Sequence, residues 1–144
     1  MAAADPLDAP DLKAPHHLIN RELSMLEFNQ RVLAQAQDEA VPLLERLKFL
    51  CISSSNLDEF FEIRVAGLKE QIELRAEITG PDGAAPSNVF REVSLRSHEL
   101  VARQYALWNQ AILPQLNAQG VRFLRRRDWN EAQRTWIKAF FLKE

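Results

Sequence analysis

Ser53-Ser54-Ser55-Asn56-Leu57-Asp58-Glu59-Phe60-Phe61 joins a serine run to an acidic, aromatic segment, and its reading decides how many helices the chain has. Serine and asparagine side chains compete for nearby backbone groups, so the run reads as the end of one helix and Asn56 as the N-cap of the next. Glu59, three residues on, has the spacing to reach back to the Asn56 N–H and close a capping box. The same N–H-rich helix start also suits an anion or a nucleotide, which leaves the role of the Asn56 amide open. Asp58, Glu59 and Glu62 gather beside it, where the helix dipole alone favours carboxylates.

Upstream, the pattern turns helical at Asn20: Met25, Phe28, Val32 and Ala36 fall on one face, with Leu26 and Leu33 widening it. Pro42 suits a first helical turn, and Leu43, Leu44, Leu47, Leu50 and Cys51 follow at helical spacing up to the serines. Beyond Asn56, a third helix places Phe61, Val65, Leu68 and Ile72 inward and Glu62, Lys69, Glu70 and Glu73 outward. Two glycines and two prolines between Thr79 and Pro86 then force a loop. A long fourth helix begins near Ser87, with Val93, Leu100 or Val101, Tyr105, Trp108 and Ile112 on its stripe, and Pro114 bends or ends it. Gly120 punctuates. Val121-Arg122-Phe123-Leu124 reads as an edge strand or an extended connector, and Asp128-x-x-Glu131 announces a fifth helix with Trp136, Ala139 and Phe140 inward. That amphipathic pattern is cut off at Glu144, as in a piece of a longer protein.

The expected fold is therefore all-α: an antiparallel helical bundle, a short extended connector and the start of a following domain. Residues 1–17, with Pro6, Pro10 and Pro15 among alanines and aspartates, read as a disordered tail. Residues 18–120 form the helical domain, and residues 121–144 open the next one.

With 144 residues and 47% apolar content, the chain has enough apolar surface for a core. Its 18 basic and 20 acidic residues give a net charge of −2, which generates no field to attract nucleic acid. The single cysteine, Cys51, rules out an internal disulfide and reads as a buried thiol. No leader and no run long enough to span a bilayer is visible, so a soluble, cytoplasmic protein without a transmembrane segment is expected.

Chemistry is sparse. The chain has no Gly-rich phosphate loop, no G-x-S-x-G, no H-E-x-x-H and no Cys/His metal spacing. His16 and His17 are adjacent in the tail and His98 stands alone on the fourth helix, so no metal site and no catalytic residue is assigned. Arg125-Arg126-Arg127 is basic, but one such run in an acidic chain is a weak footprint for nucleic acid.

The blocks Ile19-Asn20-Arg21-Glu22-Leu23-Ser24-Met25-Leu26-Glu27-Phe28-Asn29-Gln30-Arg31-Val32-Leu33, Pro42-Leu43-Leu44-Glu45-Arg46-Leu47-Lys48-Phe49-Leu50 and Ser55-Asn56-Leu57-Asp58-Glu59-Phe60-Phe61-Glu62-Ile63-Arg64-Val65-Ala66-Gly67-Leu68 resemble, in order and separation, the N-terminal region of the large bacterial polyphosphate kinases, related to phospholipase D. Met25 stands where a tryptophan is often found, and both fill an apolar site.

The resemblance implies an enzyme that reversibly moves the terminal phosphate of ATP to inorganic polyphosphate, with Mg2+ and a phosphohistidine. The histidines and phosphate-binding arginines would lie in later domains, and the full-length protein would be a homo-oligomer, cytoplasmic or peripheral to the inner membrane. This region would supply a wall of the adenine nucleotide pocket, bind no cofactor tightly by itself and be inactive alone. Of the nucleotide contacts, the resemblance carries one over, to Asn56 as an ATP-binding residue; Arg64 and Lys69 are weaker candidates for the same wall. Two rivals stand beside it: a non-enzymatic helical interaction module docking through Trp108, Trp129 and Trp136, and a nucleic-acid binder using Arg125 to Arg127.

Overall fold

The computed structural model describes residues 11–74 and 79–143. Helix α1 spans Arg21–Gln37, capped by Asn20, whose side chain accepts from the Leu23 N–H at 3.1 Å. Helix α2 runs Leu43–Glu59, continues through a π-helical segment Phe60–Val65, and passes into α3, Ala66–Glu73. After the loop, α4 spans Pro86–Leu107 and continues through a second π-helical segment, Trp108–Ile112, into α5, Leu113–Ala118. Helix α6 covers Glu131–Phe141. Among the described residues these form four helical rods and no strand, the all-α fold expected.

Side-chain pairs give the directions. Asn29 of α1 meets Ser53 of α2 while Ala36 meets Arg46, so α1 and α2 are antiparallel. Glu27 and Gln30 of α1 meet Arg96 and Arg103 of α4, so these two run the same way. Ser53 and Arg46 of α2 meet Gln104 of α4 and Gln115 of α5, on the third rod, in descending order, which closes an up-down-up bundle. Leu26, Leu33, Leu100, Ile112 and Leu116 are almost fully buried at its centre. The third rod ends in a Schellman turn: Val121 N–H donates to Leu116 O at 2.9 Å and Gly120 N–H to Asn117 O at 3.1 Å. Gly120 takes φ 84°, where a side chain would be strained.

The break expected at the serines does not occur. Arg46, Leu50, Ser53, Leu57 and Phe60 form one buried stripe at spacings of three and four, so the helix phase runs straight through. Ser53 accepts from Gln104 Nε2 at 2.9 Å through its hydroxyl, and its carbonyl accepts from Asn29 Nδ2 at 2.8 Å. The polar groups of Ser53 are thus used across the bundle, and Ser54 and Ser55 face outward. Asn56 is consequently an interior helical residue rather than an N-cap, and no capping box with Glu59 forms.

The widened turns account for two further departures. A π turn holds more residues than an α turn, so Phe60 and Val65, five apart, are buried while Phe61 swings outward against the edge of Phe60. The second π turn lies just ahead of Pro114, where it accommodates the missing donor, and the rod continues instead of ending. On α1 the buried face is Leu26, Asn29, Leu33 and Ala36, one step round from the expected stripe, with Met25 and Phe28 exposed. Tyr105 is exposed and Gln104 takes the inward position beside it. Cys51 is exposed rather than buried, because the stripe passes through Leu50 and Ser53 on either side of it.

At the carboxyl end, Val121 to Leu124 form an unpaired connector, anchored by the edge of Phe123 against Trp108 at 5.1 Å. The α6 cap is Asn130 with Gln133, not Asp128 with Glu131, and Asp128 instead caps a single 3-10 turn, Arg126–Asp128. Trp136, Ala139 and Phe140 are exposed, not inward. The helix closes at Leu142, and Glu144 lies outside the described residues. Of the expected tail, residues 1–10 lie outside them as well, while Pro15–His17 form one 3-10 turn.

Candidate functional site

Two clefts meet at Arg64. The smaller, about 270 Å³, lies between α1 and the junction of α2 with its π turn, lined by Met25, Phe28, Asn29, Asn56, Ile63 and Arg64 among others. Its apolar surface is laid out by a helical register that leaves Met25, Phe28 and Ile63 exposed, while Leu26, Leu57 and Phe60 are buried behind them. The polar part is two amides. Asn56 Nδ2 donates to Asn29 Oδ1 at 3.3 Å, and Asn29, only 4% exposed, donates through Nδ2 to the Ser53 carbonyl. Asn56 is partly exposed, and among the described residues nothing donates to its Oδ1.

The larger cleft, about 510 Å³, lies between the start of α1, the π turn and α3, and the loop from Thr79 to Asp82. Asn20 Nδ2 donates to Asp82 Oδ2 at 2.8 Å, which ties that loop to the first turn of α1. Gly83, with φ 77°, closes a turn onto Gly80 O at 2.8 Å and lets the loop fold back. Arg64 stands between the clefts, its guanidinium 3.7 Å from Glu22 and 27% exposed. That contact orients the arginine and adds at most about 1 kcal/mol.

Of the residues singled out in the sequence, Asn56 and Arg64 line one cleft, whereas Lys69 lines neither. Glu59 reaches the smaller cleft; Asp58 and Glu62 are exposed and line neither. Among the described residues His98 bonds only the Ser94 carbonyl one turn back on its own helix, and the His16 ring lies tilted against that of His17 at 4.0 Å. Asn29 was missed. Its signal was present as an asparagine three residues after Leu26 and four before Leu33, a polar residue on a core stripe, which folds only if its amide is satisfied. Buried Arg46 also went unnoticed: Nε donates to Ala36 O at 2.9 Å and Nη1 to Gln115 Oε1 at 3.1 Å, so it closes the end of α1 and ties it to the third rod.

Fold and cleft together define an all-helical domain with a shallow apolar groove rimmed by amides and one arginine. Residues 18–124 match the family described as polyphosphate kinase N-terminal domain, and the chain belongs to that family. It is 55% identical over 126 residues to the polyphosphate kinase of Pseudomonas aeruginosa, covering 88% of this chain and 18% of that protein. Against the polyphosphate kinase of Pseudomonas syringae pv. tomato it is 53% identical over 136 residues, 94% of this chain and 18% of the other. The polyphosphate kinase of Burkholderia vietnamiensis is 49% identical over 133 residues, 92% of this chain and 19% of its own length. The chain thus spans under a fifth of the length of these relatives. No solved structure gives a significant match.

Proposed function

We propose that this chain is the N-terminal domain of an ATP:polyphosphate phosphotransferase and forms one wall of its adenine nucleotide pocket, with Asn56 as the nucleotide contact. The observation that carries the reading is the Asn56 amide at the rim of an apolar groove, held by Asn29 and with its oxygen left for a ligand. A volume of about 270 Å³ falls just short of the range of complete small-molecule sites, which suits a wall that other parts of the enzyme close. Arg64 lines the same groove and, paired with Glu22, offers weak further help.

Phosphoryl transfer through a histidine is assigned to regions outside this chain, as is magnesium, which travels with the triphosphate. Among the described residues no group of three or more His, Cys, Asp or Glu comes together. Homo-oligomeric assembly and a cytoplasmic place belong to the same proposal; no helix of the described residues is long and apolar enough to cross a membrane.

Two measurements test it. The 144-residue chain alone should form no polyphosphate from ATP with magnesium. In the full-length enzyme, Asn56→Ala should raise the KM for ATP about tenfold, as expected for losing one or two hydrogen bonds, with a smaller change for polyphosphate. An unchanged KM for ATP overturns the role of Asn56. A second reading, a non-enzymatic module docking through its exposed aromatics, draws on Trp136 and Phe140, which stack in the open at 5.4 Å. It would gain if the full-length protein made no polyphosphate.

A further inference from the structure

We infer that Asn29 is a positioning residue that fixes which way round the Asn56 amide stands, and thereby makes the groove select 6-aminopurine over 6-oxopurine nucleotides. The inference rests on the proposal that Asn56 faces a nucleotide and goes beyond it by naming what sets the base preference.

A primary amide has nearly the same shape with its oxygen and nitrogen exchanged. Free to turn by 180°, it offers a ligand either an acceptor or donors at the same point. Asn56, partly exposed on an unbroken helix, has no local reason to choose. Asn29 supplies one. The Ser53 carbonyl only accepts, so the Asn29 NH2 must face it, at 2.8 Å. This leaves Asn29 Oδ1 facing Asn56, and an amide oxygen also only accepts. Asn56 must therefore turn its NH2 inward, at 3.3 Å, and its oxygen away from Asn29. Because Asn29 is buried, water does not compete for its contact with the Ser53 carbonyl, which fixes the orientation of the pair. A single backbone carbonyl thus sets, through two amides, the polarity shown to the groove.

What faces outward is an acceptor and one remaining N–H. Adenine is the complement: its exocyclic amine donates to the oxygen while a neighbouring ring nitrogen accepts, the pairing that asparagine makes with adenine elsewhere. A 6-oxopurine in the same pose sets its own oxygen against the amide oxygen, acceptor on acceptor. It can be received only if Asn56 turns over, which Asn29 prevents. Exposed Met25, Phe28 and Ile63 supply an apolar surface for the flat face of either base, so discrimination falls to the edge.

The test compares ATP with ITP in the full-length enzyme, through the ratio of their kcat/KM values. Wild type should prefer ATP, and a ratio near one would overturn the inference. Asn29→Leu, of similar shape and without polar atoms, should lower that ratio about tenfold, mainly through KM, with kcat nearly unchanged. Asn29→Ala serves if the leucine variant does not fold. Asn29→Asp, neutral in this buried position, donates its O–H to the Ser53 carbonyl and keeps an acceptor facing Asn56, so it should keep the ATP preference. A merely structural role for Asn29 gives the reverse order, because a buried carboxyl group disturbs a core more than leucine does. Gln104→Leu, which removes a neighbouring buried hydrogen bond to Ser53 Oγ, should lower the melting temperature and leave the ratio unchanged. If Asn56→Ala raises the KM for ATP while Asn29→Leu and Asn29→Ala leave the ratio intact, the inference fails and the proposed function stands. If Asn56→Ala changes neither the KM for ATP nor the ratio, both fall.

Discussion

The three-rod bundle and helix α6 use the same residue types in opposite ways. In the bundle, a helix cap reaches beyond its own turn: Asn20 caps α1 and also holds Asp82 of a distant loop. At α6, Asn130 and Gln133 bond only each other, 2.9 Å in both directions. Arg46 donates through Nε to Ala36 O in the buried interior, whereas Arg134 donates through Nε to Trp129 O in the open. Phe60 is buried at 3% and Trp136 is 66% exposed. One region is held by long-range contacts and the other by local rules, so identical substitutions should report different energies in the two.

The largest contrast is apolar. Leu33 is fully buried between the rods, and Leu33→Ala should destabilise the chain by about 3–4 kcal/mol in denaturant unfolding, through lost burial and the cavity left behind. Trp136→Ala removes a larger side chain yet should cost below about 0.5 kcal/mol, because most of that ring is already in water. A cost above about 2 kcal/mol at Trp136 would break the contrast and show α6 packed in solution.

The guanidinium pair comes next. Arg46→Met should cost about 2 kcal/mol, since the Ala36 carbonyl at the end of α1 loses a buried partner, and Arg46→Lys should not restore it because one ammonium does not reproduce the two-point fork. Arg134→Met should stay within about 0.5 kcal/mol. Equal losses at the two positions would mean that burial is not what separates the regions.

The same division explains what could be read in the sequence. Local rules found the helical segments and the glycine-proline loop, because hydrophobic spacing and turn chemistry act over a few residues, but they split the second rod in two. They failed where a distant side chain decided the outcome. The serine run carries the chemistry of a helix break, and only Asn29 and Gln104, far away in sequence, convert Ser53 into a core residue. The inward choice of Phe60 over Phe61 depended on a π turn that α-helical periodicity does not describe. Asn56 reads as a cap from its residue type and its neighbours, and as a nucleotide contact by resemblance. In the structure the NH2 is the engaged group, donating to Asn29, and the side chain caps no helix, because the partner that sets the amide lies 27 residues away.

The smallest effects come from two buried serines within the bundle, and they should differ in sign. Ser53 and Ser97 are 0% and 2% exposed, on facing rods. Ser53 Oγ accepts from Gln104 Nε2, so Ser53→Ala strands a buried donor and should cost about 1 kcal/mol. Ser97 Oγ is buried with no partner among the described residues, so Ser97→Ala removes an unsatisfied hydroxyl, adds a better helix former and should raise stability by about 0.5 kcal/mol. Chemical denaturation of both variants at constant m-value resolves the signs. If Ser97→Ala destabilises as much as Ser53→Ala does, the Ser97 hydroxyl is satisfied in solution, and a water bound within the bundle becomes the group to look for. If the signs differ as expected, a long-range partner alone separates a serine that helps the core from one that burdens it, which is the same distinction that divides the bundle from α6.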